Sequence, residues 1–148
     1  MAVSSIVDVL KIKNEQDFIS AVGGFEEAVE ITFKPLTDKL RQQVLTAEVQ
    51  QLEIHMTFVE SWRDRVAKAL MIAEAFENHG RSHHFLMPGG RNITATDREA
   101  YQKSITAGAA ALCVYFEQLL RSVDSRVNLC KILLRNEMEG TTNTRRFS

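Results

Sequence analysis

Two runs of apolar residues recur at intervals of three and four, in strict alternation in the first, and they restrict this chain to helices that pack along their length. The first run is Leu45, Val49, Leu52, Met56 and Val59, resuming at Val66, Leu70 and Ala73. The second is Tyr101, Ile105, Ala109, Leu112, Phe116, Leu119, Val123, Val127, Cys130 and Leu134. Residues three and four apart share one face of a helix with about 3.6 residues per turn, so each run draws a continuous stripe. The same alternation is the seam spacing of coiled coils. Trp62 and Phe76 flank the first stripe and widen it.

Local chemistry sets the expected ends. Pro35 suits a first helical turn, where no N–H is lost, and Gly80 after "AFENH" offers a left-handed stop, so a helix on the order of 60 Å is predicted over 35–79. A loop over 80–95 carries the turn signal Pro88-Gly89-Gly90. The second helix is predicted over 96–139, opened by Thr96 and Glu99 at capping-box spacing, with Gly108 costing about 1 kcal/mol against Ala. Gly140 then stops it before a frayed tail, 140–148. In residues 1–34, "EQDFISAV" and "FEEAVEITF" read as short helices separated by Gly23-Gly24, although "VEITF" also alternates as a strand would. The fold expected is all-α and single-domain: two long antiparallel amphipathic helices with a short helical N-terminal segment, in a coiled coil or bundle that oligomerises.

At 148 residues the chain can bury its own core, and its 45% hydrophobic and 25% charged content is that of an ordinary globular protein. Net charge is −1, but residues 1–60 hold five Lys/Arg against ten Asp/Glu, and residues 61–148 hold thirteen against nine. This polarity suits acid-to-base contacts within or between subunits, or a basic face aimed at phosphate. Cys113 and Cys130, on one helix, would lie about 25 Å apart, too far for a disulfide. "MAVSSIVDVLKIKNEQ" has no secretory pattern and no apolar run approaches a membrane span, so a cytoplasmic protein without membrane contact is expected. "NIT" at Asn92 is then a chance match to a glycosylation acceptor.

The stretch "YFEQLLRSVDSRVNLCKILLR" adds bases to its stripe. Glu117, Arg121, Asp124, Asn128, Lys131 and Arg135 line one face, and charge grows basic towards the C-terminus through Arg126, Lys131 and Arg135. Such a face is either solvated, with bases complementing the helix dipole, or it contacts phosphate. His79, His83 and His84 near Glu74 and Glu77 straddle a helix end without metal-ligand spacing, so no metal or cofactor is expected. No nucleotide-binding loop, nucleophile elbow or zinc motif is present, and Cys113 sits in an apolar segment, so the chain reads as a non-enzyme. Phe85, Leu86 and Met87 at the loop tip suggest an oligomer contact, or an aromatic element stacking a base.

Asp97 and Tyr101, Tyr115-Phe116-Glu117, Leu119-Leu120, Ser125-Arg126 and Lys131 together resemble the last helix of the T4-type phage recombination mediators, the UvsY family. Val127 and Asn128 depart from that family's Gly-aromatic pair, and the likeness covers roughly 40 residues. It implies a ring-forming helical protein that binds single-stranded DNA and loads a recombinase, with Arg121, Arg126, Lys131 and Arg135 on phosphate and Arg63, Arg65 and Lys68 adding contacts. The alternative is a structural or adaptor assembly protein, for example a phage particle component, indifferent to nucleic acid. The first would work in the host cytoplasm and the second in the virion.

Overall fold

A computed structural model describes residues 3–82 and 94–147. It is a multi-helix, all-α bundle of α1 (Ile6–Leu10), α2 (Glu15–Leu40), α3 (Val49–Ser61), α4 (Arg63–Ser82) and α5 (Ala95–Phe147), with no strand among the described residues. "VEITF" is therefore helical. Packing divides the chain into two compact units, Met1–Thr32 with Ala67–Glu117, and Phe33–Val66 with Gln118–Ser148.

In the first unit Val9, Ile12, Phe18, Ala21, Val22, Ile72, Phe76 and Ala109 form the core, drawn from α1, α2, α4 and α5. Phe18 meets Phe76 edge-on at 5.9 Å, and Phe25 lies 5.6 Å from Phe76 and 6.3 Å from Phe116. These contacts explain why α2 runs unbroken through Gly23-Gly24, where two short helices were expected. The buried residues Ala21 and Val22, with half-buried Phe25, hold the backbone helical on both sides of the pair, and both glycines face open space. Tertiary burial outweighs a propensity cost of about 1 kcal/mol per glycine.

Gly80 does not stop α4, which continues to Ser82 without a positive φ. Its lack of a side chain serves packing instead: a Cβ there would meet Thr106 Cγ2 at 2.5 Å and Phe18 Cζ at 2.8 Å. Immediately before it, buried His79 donates from Nε2 to the Ile12 carbonyl at 2.6 Å, satisfying the backbone just after α1.

In the second unit Val44, Leu52 and Cys130 are buried, with Met56, Leu129, Leu133 and Leu134 packed against them. Phe33 and Phe58 lie 5.6 and 6.3 Å from Trp62. The helix expected over 35–79 is divided here. Pro35 lies inside α2, exposed, flanked by buried Phe33 and Leu36; the helix ends at Leu40 and an eight-residue connection, 41–48, leads to α3. A second break falls at Trp62, the C-terminal cap of α3, whose N–H turns to the Val59 carbonyl at 3.1 Å. Of the first stripe, Leu52, Val59, Val66 and Ala73 are buried, whereas Leu45 and Val49 are exposed and Val44 takes the inward place.

The second stripe is realised more closely. Ala109, Leu112, Phe116, Leu119, Val123, Val127 and Cys130 are all buried on α5. The helix starts at Ala95, capped two residues earlier than expected: Asp97 N–H reaches Thr94 Oγ1 at 3.2 Å, and Thr94 N–H reaches Asp97 Oδ2 at 3.4 Å. It runs through Gly140 to Phe147 where a frayed tail was expected, since a glycine lowers helix propensity without forbidding the helix.

Candidate nucleic-acid interface

The basic residues of α5 fall into two sets with different surroundings. At about 100° per residue, Arg121, Lys131 and Arg135 occupy an arc of about 80° on the side of α5 away from its apolar stripe. All three are exposed, and among the described residues none has a carboxylate within ion-pairing distance. Lys131 and Arg135 are one turn apart, and the three bases together span about 21 Å of helix.

Two acids of this unit share the face, Asp124 between Arg121 and Lys131 and exposed Glu139 one turn beyond Arg135; Arg63 neutralises Asp124 through Nε at 2.9 Å from Oδ1. Both side chains are roughly half exposed, so solvent screens the pair to about 0–1 kcal/mol. Its larger effect is electrostatic: the negative charge among the three bases is cancelled locally. Arg63 thus balances the face from beside it.

Arg126 stands about 140° around the helix from Arg121, next to the apolar stripe. Half-buried, it donates from one guanidinium nitrogen to the Leu40 carbonyl and from the other to the Gln42 carbonyl at 2.7 Å. Leu40 is the last residue of α2, where helical carbonyls lack intrahelical donors and the dipole attracts a cation, and Gln42 follows in the connection. Arg126, expected on phosphate, thus makes structural bonds in this unit. The wheel position beside Val123, Val127 and Cys130 was the available signal.

Other cations of this unit are also engaged. Lys39 Nζ lies 5.4 Å from the centre of the Phe58 ring, and Arg65 stacks 4.7 Å from that of Trp62. Lys68 is exposed on α4 in the other unit. Phe85, Leu86 and Met87 lie outside the described residues, as do His83 and His84. His55, not singled out by sequence spacing, is buried with Nε2 at 3.4 Å from an Arg126 nitrogen. Burial, then the positive charges of Arg126 and Lys39, hold its pKa below the ordinary imidazole value.

Neither thiol has the surroundings of a nucleophile. Both cysteines are free and buried. Burial and a hydrogen bond to Glu77 push the Cys113 thiol up to about 12, and burial also raises Cys130. Among the described residues no group of three His, Cys, Asp or Glu is placed to hold a metal ion, and no helix is long and apolar enough to cross a membrane.

Comparisons with protein-family models, curated proteins and solved structures find no match.

Proposed function

We propose that this chain is a self-associating helical protein that holds single-stranded nucleic acid by its backbone, through Arg121, Lys131 and Arg135. The observation that carries the reading is the arrangement of those three exposed bases on one face of α5, with the adjoining Asp124 neutralised by Arg63. Such a row neutralises phosphates and releases counterions without reading sequence. In the same unit the rings of Phe33 and Trp62 are buried, so base stacking on them adds nothing. Affinity is then governed by salt, with little dependence on base identity. The resemblance to the phage recombination mediators supports a role in loading a recombinase on the strand.

A second reading, an assembly or adaptor protein without nucleic acid, is favoured by large apolar side chains that stay exposed: Ile31 at 78%, Leu45 at 60% and Ile54 at 60%. The readings separate on the variant Arg121→Ser/Lys131→Ser/Arg135→Ser. Loss of oligonucleotide binding with self-association intact supports the first, and an oligomer that never bound the oligonucleotide supports the second.

A further inference from the structure

We propose that His55 and Arg126 form a proton-operated latch on the end of α2: the neutral imidazole seats the guanidinium that ties down Leu40 and Gln42, and a proton on His55 unseats it. The geometry is one-sided. At 3.4 Å, an Arg126 N–H faces the His55 Nε2 atom, and a guanidinium nitrogen can only donate. The contact is favourable when Nε2 is bare. A proton there sets donor against donor and cation against cation.

The surroundings offer the proton no compensation. His55 is 5% exposed, and the charged groups acting on its ring are Arg126 from α5 and Lys39 from α2, both cations. The adjoining pocket, about 340 Å³, is lined by Lys39, His55 and neutral residues of the 41–48 connection and α3, with no carboxylate among them. Burial and the two cations accordingly depress the imidazole pKa.

The sign of the linkage follows. A depressed folded-state pKa contributes stability that is complete above about 6.5, the unperturbed value, and is lost as pH falls from there through the folded-state value. What loosens first is the segment Arg126 holds. Two amides report on it directly: Gln42 N–H, bonded to the Lys39 carbonyl at 3.1 Å, and Ala47 N–H, bonded to that of Val44 at 3.1 Å.

Hydrogen exchange of these amides in the full chain at pH 7.5 and 5.0, corrected for intrinsic pH dependence, tests the latch. Opening at Gln42 and Ala47 is expected to rise about threefold to thirtyfold on acidification, the upper figure being the limit set by an imidazole of pKa near 6.5 in the open state. In His55→Gln, which keeps an acceptor for Arg126 and cannot be charged, the rise is expected to vanish. Unchanged opening in the natural chain overturns the proposal, as does the same rise in His55→Gln. The ring resonances of His55 in the natural chain give a check that no variant's folding can confound: titration below 6.5 is expected, and titration at or above it overturns the latch.

Discussion

The guanidinium of Arg126 donates to the carbonyl of Leu40, the last residue of α2. A cation whose place on the wheel reads as a solvated face or a phosphate contact thus bonds the end of a helix. No Gly or Pro occurs between Leu40 and Val49 to announce the break, and the orphan carbonyls are satisfied from 86 residues away in sequence.

Removal of that side chain should be costly. Arg126→Met leaves the Leu40 and Gln42 carbonyls without their charged donor, and a loss of about 2 kcal/mol is expected in denaturant unfolding. The salt dependence of oligonucleotide binding should not change. A variant as stable as the natural chain would remove Arg126 from the structural account.

Three glycines of similar sequence context should respond in opposite directions. Gly23→Ala and Gly24→Ala put a methyl into open space within a helix, and each should stabilise by about 0.5–1 kcal/mol. Gly80→Ala drives a Cβ to within 3 Å of Thr106 and Phe18, and should destabilise by about 1–3 kcal/mol. Thermal unfolding of the three variants checks the contrast.

Much of α5 was legible because burial repeats with the helical period. Ala109 to Cys130 needed no partner to be recognised, since every third or fourth residue is apolar. The helix ends were harder. Gly23, Gly24 and Gly80 carry stop signals, yet each lies inside a helix, because packing against Phe18, Phe25 and Phe76 exceeds a propensity difference of about 1 kcal/mol. The basic face was visible as Arg121, Lys131 and Arg135. The engagement of Arg63 and Arg126 was not, because Asp124 and Leu40 are brought to them only by tertiary structure.

Thiol chemistry offers a check on the first unit. With its pKa at about 12, Cys113 should hold on the order of one part in 10⁴ as thiolate at pH 8, and it is buried as well. Aromatic disulfide reagents should label it only after unfolding. Rapid stoichiometric labelling of the native chain would contradict the packing of Cys113 beside Glu77.

The most direct measurement is the affinity for a labelled single-stranded oligonucleotide across a salt series, for the natural chain and for Arg121→Ser/Lys131→Ser/Arg135→Ser, with the mass of each protein determined in the same buffers. Three phosphate contacts on a single strand correspond to a log–log slope of about −2, which the triple variant should lose while keeping its mass. Equal slopes for the two proteins, or no binding at low salt by the folded natural chain, would contradict the assignment of this face to nucleic acid.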